Sequence, residues 1–229
     1  MDERSLTPIE QAIARAGMAT RGALRLDASD LVGELAPFST LFLIGMVGSA
    51  QWPAFVDSPE AADGAAHPLD RWSRRVIGAL ARDLGARALH PFEGPPYWPF
   101  QAWARRAEPV WPSPVGMLLH RDYGLWHSYR GALAFRERIV ISPLEPSRSP
   151  CESCAEKPCL HSCPVGAFTP DGYDVVGCAG HVRGDAGVDC LDGGCKARRA
   201  CPVGGEHAHG EAQTRFHMRA FLAARAVNP

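Results

Sequence analysis

Eight cysteines stand in the last third of the chain, in two runs that each close on Cys-Pro. The first is Cys151-Glu-Ser-Cys154-Ala-Glu-Lys-Pro-Cys159-Leu-His-Ser-Cys163-Pro164. The second is Cys190-Leu-Asp-Gly-Gly-Cys195-Lys-Ala-Arg-Arg-Ala-Cys201-Pro202, and Cys178 lies between the two. Closely spaced thiolates bind soft metals, and eight is the number that two cubane 4Fe-4S clusters require. Two zinc sites of four cysteines each would use the same number, because paired short Cys spacings also suit zinc. Disulfides need an oxidising compartment. The N-terminal Met1-Asp-Glu-Arg-Ser-Leu-Thr-Pro8 contains no apolar stretch of the kind secretion uses, so the expectation is a cytoplasmic protein with reduced cysteines. These residues read as an iron-sulfur protein that carries electrons.

The cysteines need a scaffold. At 229 residues and 46% apolar, the chain is long enough to bury a core well beyond the cysteine runs. Its longest apolar stretch, Leu41-Phe-Leu-Ile-Gly-Met-Val-Gly48, is too short to cross a bilayer, and no basic amphipathic helix stands out. A net charge of −1 gives no bias toward polyanions, although Arg74-Arg75, Arg105-Arg106 and Arg198-Arg199 form local patches. Neither nucleic acid nor membrane is a favoured partner. Apolar periodicity places helices over 7–16, from Pro68 to a stop at Gly85, and from Pro99 through Trp103 to Ala107. It places strands over 41–47, Val115 to Leu119 and Ala132 to Ile141, the last two joined by the turn Arg121-Asp-Tyr-Gly124. The fold class is therefore α/β (α+β) over residues 1–143. The Pro-rich segment 144–150 reads as a linker, 151–205 as the cysteine module, and 206–229 as a tail closed by a helix from Glu211 to Ala226. Gly45-Met-Val-Gly48 lacks a dinucleotide fingerprint and reads as the end of a buried strand.

The stretch Ser113 to Phe135 supplies the other candidate chemistry. His120, Tyr123, Trp126, His127, Tyr129 and Arg130 crowd a strand–turn–strand, with Gly124 and Gly131 admitting a close approach of backbone or ligand. Flat aromatic faces beside hydrogen-bonding tips suit a large planar cofactor, while composition alone fits an ordinary aromatic corner. Glu93 stands in a Pro-rich segment that on its own reads as a surface loop. His207 and His209 suit a metal but read as solvated, and His161 reads as a residue tuning a cluster rather than a ligand. Arg198 and Arg199 place positive charge beside the cysteines.

The cysteine runs resemble those of bacterial two-cluster ferredoxins, whose closing Cys before Pro ligates the other cluster. Here the spacer before the third Cys of the first run, and both spacers of the second, are about two residues longer than in that pattern. The segment His120-Arg-Asp-Tyr123-Gly124-Leu-Trp126-His127-Ser-Tyr129-Arg130-Gly131 resembles the His-Pro-x-Phe-Gly-Gly-Trp-Phe-x-x-Arg-Gly of CblC-type cobalamin-processing proteins. It also resembles the Gly-Trp region of epoxyqueuosine reductase, a corrinoid enzyme whose two-cluster module follows its cobalamin domain and carries a lone Cys between its runs. Reductive dehalogenases share the pairing of corrinoid and clusters.

These resemblances imply a flavin-nitroreductase-like N-terminal domain, with one cluster on Cys151, Cys154, Cys159 and Cys201. They imply a second on Cys163, Cys178, Cys190 and Cys195, and a cobalamin pocket formed by the 120–131 residues. The implied function is reduction of base-off cobalamin with loss of its upper ligand, with electrons coming from a flavodoxin or ferredoxin reductase. The alternatives are a corrinoid-dependent reductase of a small organic substrate, in which Glu93, the nearest counterpart of the acidic proton donor of epoxyqueuosine reductase, or His120 donates the proton, and an electron carrier using FMN or a protein partner. The chain lacks the charge bias a tRNA substrate would want, and the repeat domain often found after the clusters of epoxyqueuosine reductase.

Overall fold

In the computed structural model, which describes residues 6–30 and 33–226, the apolar run at 41–47 is the central strand of a sheet and is buried along nearly its whole length. In chain order the elements are α1 (Leu6–Arg15), β1 (Ala19–Arg25), β2 (Thr40–Val47), α2 (Trp52–Val56), α3 (Pro59–Ala62), α4 (Pro68–Leu84), β3 (Arg87–Leu89), α5 (Phe100–Ala107), β4 (Val110–Pro112), β5 (Leu118–His120) and β6 (His127–Phe135). Then come α6 (Pro150–Ser153), α7 (Pro158–His161), β7 (Phe168–Thr169), β8 (Gly172–Tyr173), α8 (Val175–Arg183), α9 (Val188–Gly193), α10 (Lys196–Arg199) and α11 (Glu211–Ala226). The architecture is mixed α/β with small antiparallel sheets.

The chain divides into two compact units. A sheet unit comprises Met1–Pro109 and His127–Pro146, and a cysteine unit comprises Val110–Trp126 and Ser147–Pro229. In the sheet unit the strand order is β1-β2-β6-β3, every neighbour antiparallel. Helix α4 lies against β6 and β3, while α1 and α5 lie against β1. Their apolar faces bury Ile9, Ile13, Trp72, Ile77 and Trp103 with Leu41–Ile44 and Ala132–Phe135. Proline at the first turn opens α4, and Gly85, at φ +67°, closes it by donating to the Arg82 carbonyl, as the spacing of apolar residues predicts.

Two strand expectations are corrected. Residues 113–117 form a turn rather than a strand, because Pro114 and Gly116 favour reversal there. The Ser113 N–H donates to the Met117 carbonyl at 2.9 Å, so β5 spans only Leu118–His120 and pairs with β4. The following strand starts at His127 and stops at Phe135. Beyond it the Thr40 hydroxyl replaces the ladder, donating to the Glu137 carbonyl and accepting from the Ile139 N–H. The His120–Gly124 turn stands as read, closed by paired backbone hydrogen bonds of 2.8 and 3.0 Å.

Two bulges flank β2. Between Thr20 and Ala23 the β1 strand carries an extra residue opposite Leu43, and β6 carries Arg130 as an extra residue between the pairs of Ile44 and Gly45. Bulges re-aim side chains. Here they send Arg21 and Tyr129 toward Glu108, and Arg130 toward α4.

Candidate functional site

All eight thiols are free, and they fall four and four. Cys151, Cys154, Cys159 and Cys201 line a cavity of about 250 Å³, beside Val115, Leu119, Leu125 and Lys157. Cys163, Cys178, Cys190 and Cys195 line a second, of about 210 Å³, with Phe168, Tyr173, Lys196 and Arg198. Short helices wind the thiols into place. The Ser149 hydroxyl caps α6 by accepting from the Cys151 N–H at 3.2 Å, and Asp174 caps α8, which carries Cys178, by accepting from the Gly177 N–H at 2.8 Å. The Ala167 N–H donates to Cys163 Sγ at 3.3 Å. Backbone N–H groups of Leu160, Lys196 and Val203 bond Cys159, Cys190 and Cys201, and the Tyr173 hydroxyl bonds Cys178.

Burial, reinforced by the neighbouring thiolates, pushes Cys159, Cys178, Cys190 and Cys201 above the ordinary thiol range. Thiols so crowded are held as thiolates when a positive metal centre sits among them. Among the described residues no group of three or more His, Cys, Asp or Glu side chains is placed to hold a single metal ion. Four sulfurs around a cavity, with donors aimed at them, fit a polynuclear cluster.

The aromatic hairpin of the cysteine unit is locked onto the loop after Cys201. A Cβ on Gly124, at φ +55°, would stand 1.9 Å from the Val203 carbonyl oxygen, so only glycine lets the two backbones meet. Tyr123 stacks on His120 at 4.2 Å and meets His207 edge-on at 5.1 Å. His120 Nδ1 accepts from the backbone N–H groups of Asp122 and Tyr123, at 3.0 and 3.2 Å. Trp126 lies between the Arg198 guanidinium, 4.3 Å from its ring centre, and His209, 5.2 Å away and edge-on. Burial pulls Arg198 down to about 10, which still leaves it a cation at neutral pH. Burial, with the charges of Arg198 and His217, pulls His209 down to about 3 and keeps it neutral. His207 and His209 are thus docked on aromatic rings, not solvated as their Gly-rich context suggests. His161 is exposed.

The remaining residues of the stretch lie on β6 in the sheet unit. The Tyr129 hydroxyl donates to Glu108, which also receives Arg21 through bonds of 2.8 and 3.2 Å; Arg21 is 0% exposed. Arg130 donates to the Ser73 hydroxyl at 3.0 Å and pairs with Asp70. A Cβ on Gly131 would stand 2.9 Å from the Leu89 carbonyl oxygen and 2.6 Å from Ile77 Cδ1, so the β3 backbone favours glycine there. His127 is half-buried and meets the Tyr129 ring at 5.6 Å. Glu93 accepts from the His90 N–H at 3.2 Å, lies 3.1 Å from His90 Nδ1, and edges a cavity of about 600 Å³ walled by Leu35, Leu89, Tyr97, Trp98 and Trp103. Sequence reasoning missed Arg21 and Glu108, since an isolated charge in a weakly patterned segment gives no sign of its burial.

No family model matches the chain, and no curated protein matches it in sequence. Solved structures do match. A selenomethionine-labelled epoxyqueuosine reductase aligns over 91% of this chain and 68% of its own, with TM-score 0.54 and 14% identity. The C. elegans B12-trafficking protein CblC aligns over 94% of this chain and 92% of its own, with TM-score 0.52 and 15% identity. This chain is similar in fold to both. A reductive dehalogenase also aligns, over 94% of this chain and 36% of its own, with TM-score 0.49 and 14% identity. The resemblance to CblC and epoxyqueuosine reductase noted in a few motifs thus extends over nearly the whole chain. Among the described residues no helix is long and apolar enough to cross a membrane.

Proposed function

We propose that this protein is a cytoplasmic iron-sulfur oxidoreductase passing electrons from a flavodoxin or ferredoxin reductase through two 4Fe-4S clusters to a cobalamin held base-off, whose upper ligand is then lost. The observation that carries the reading is the division of the eight thiols into two sets of four, each around its own cavity and each met by hydrogen-bond donors. Cys151, Cys154, Cys159 and Cys201 would hold one cluster, and Cys163, Cys178, Cys190 and Cys195 the other. When bound, the clusters supply low-potential electrons and the corrinoid supplies the cobalt that receives them.

The chain's own part is binding, orientation and exclusion of water. Val115, Leu119 and Leu125 give the first thiol set an apolar wall, which lowers the local dielectric. The N–H of Ala167 and the hydroxyl of Tyr173 stabilise Cys163 and Cys178 as thiolates. In the cysteine unit Gly124 and Trp126 act as frame, with His120 and Tyr123 stacked on each other beside them, and in the sheet unit Tyr129, Arg130 and Gly131 act as frame next to His127. The sheet unit is read as flavin-nitroreductase-like and the cysteine unit as a two-cluster ferredoxin-like module.

One observation favours a second reading, catalysis on a small organic substrate. Glu93 stands at the edge of the aromatic 600 Å³ cavity, where a carboxyl group is placed to donate a proton to a bound molecule.

The test is anaerobic purification, iron and cobalt counts, and visible spectra with hydroxocobalamin before and after dithionite. About eight irons per chain and a shift to base-off cobalt support the leading reading. A spectrum that stays base-on under excess protein sinks the corrinoid part, and turnover of an organic substrate over many cycles on one cobalamin favours the second reading. Stoichiometric flavin in the purified protein would move the assignment to an FMN-dependent carrier.

A further inference from the structure

Arg198 is a half-buried cation whose partners in the protein are neutral. Its guanidinium donates to the Leu125 carbonyl at 2.6 and 3.1 Å and lies over the face of Trp126. Neither partner carries charge. Two other arginines are treated differently: the buried Arg21 has Glu108 and the largely buried Arg130 has Asp70. Its chain neighbours Lys196 and Arg199 both pair with Asp189 at the surface, at 3.0 and 2.8 Å. A buried ion is expensive without a counter-charge.

The acidic group beside Arg198 is Cys195, which would be a thiolate with a cluster bound. Although Arg198 stands midway in sequence between Cys195 and Cys201, its side chain lines the cavity of Cys163, Cys178, Cys190 and Cys195, and Cys195 is the group whose negative charge favours its protonated form. The other cavity has one cation on its wall, Lys157, and that ammonium is half-buried and bonded to the Cys151 carbonyl.

A 4Fe-4S cluster on four thiolates is anionic when oxidised and more so when reduced. A fixed cation beside it therefore favours the reduced form, and does so most strongly where water is excluded. We infer that Arg198 is the built-in counter-charge of the cluster on Cys163, Cys178, Cys190 and Cys195, setting that cluster's reduction potential above that of its twin. Electron transfer from the Cys151 cluster to the Arg198 cluster is then downhill. The inference rests on the two-cluster reading above.

The test is a potentiometric titration of the holoprotein with dithionite as reductant, followed by electron paramagnetic resonance. Wild type should show two midpoints, and Arg198→Gln, which keeps a donor for the Leu125 carbonyl, should lower the higher one. The expected effect is at least a tenfold change in that cluster's reduced-to-oxidised ratio, about 59 mV for one electron. The signal that moves should be the one lost in Cys190→Ser. Arg198→Lys, which retains the charge, should move it less, and Arg199→Met should move neither.

Midpoints unchanged in Arg198→Gln, or both shifted equally, would overturn the inference while leaving the clusters in place. Should Arg198→Gln fail to assemble its clusters, the same comparison runs through Arg198→Lys, where a loss as large as that of a neutral residue would overturn it. Purified wild type without cubane signals would instead mean that the two-cluster reading itself has failed.

Discussion

Gly124→Ala probes whether the aromatic hairpin holds the Cys201 loop. Two costs apply. An L residue at φ +55° pays about 1–2 kcal/mol for left-handed backbone. The new Cβ would also stand 1.9 Å from the Val203 oxygen and 2.7 Å from its carbonyl carbon, where ordinary contact begins at 3.4 Å. No rotamer relieves a clash with backbone, so the two segments must part by about 1.5 Å, and overpacking of this kind costs about 1–3 kcal/mol. Together they predict a loss of about 2–5 kcal/mol, which for a chain of this length lowers the Tm by about 4–20 °C.

Val203 follows Cys201 by two positions, so the displacement reaches a thiol of the first cavity. Iron should fall from about eight to about four per chain, the number for one remaining cluster. Gly116→Ala is the matched control. Its φ is +77°, and a Cβ there meets nothing within 4 Å, so it pays only the backbone cost. Thermal melts and iron counts on the three proteins decide the matter. If Gly124→Ala and Gly116→Ala lose the same stability and both keep their iron, the close approach to Val203 does not fix the Cys201 loop.

Glu108→Ala strips the fully buried Arg21 of its carboxylate, and removing one partner of a buried pair costs about 3–5 kcal/mol, read as a Tm drop of about 6–20 °C. The double variant Arg21→Met, Glu108→Leu should recover most of it. Cys159→Ser and Cys190→Ser, one from each cavity, should each leave about four irons, and electron paramagnetic resonance should show a different cluster surviving in each. His90 is held below its ordinary pKa by burial, which outweighs the opposing pull of Glu93. The unfolded chain therefore binds the extra proton first as pH falls below 6.5, so the stabilisation is complete above that value and lost below it. Urea midpoints between pH 7.5 and 5.5 should slope less steeply in His90→Gln than in wild type, and parallel slopes would refute the assignment.

Several elements were legible because local chemistry decides them. Pro68, the apolar face around Trp72 and Leu80, and Gly85 define α4 without help from tertiary structure. The run 41–47 is buried up to Met46 and reads as a strand at once. By contrast β1 was missed, because Ala19–Arg25 has no alternation and its bulge turns the buried Arg21 out of phase. The strand edges at 115–119 and 132–141 were misplaced because a Pro-x-Gly turn and the Thr40 hydroxyl cut into apolar sequence that hydropathy alone would continue. The number of cysteines was plain, but which four share a cavity depends on how the chain returns after α10, and spacing is silent on that; only the resemblance suggested a partition.

The stretch from His120 to Gly131 reads in the sequence as one motif. In the structure the chain passes from one unit to the other between Trp126 and His127, and the two halves do different work. His120, Tyr123, Gly124 and Trp126 form the hairpin on which the Cys201 loop, His207, His209 and Arg198 are seated. Tyr129, Arg130 and Gly131 tie β6 to Glu108 and α4. A motif of rings and glycines therefore serves first as scaffold. Whatever cofactor chemistry it adds must use the atoms that these contacts leave over, and Trp126, in contact with both Arg198 and His209, joins the cysteine unit's half-buried charge to the hairpin more directly than the sequence alone implies.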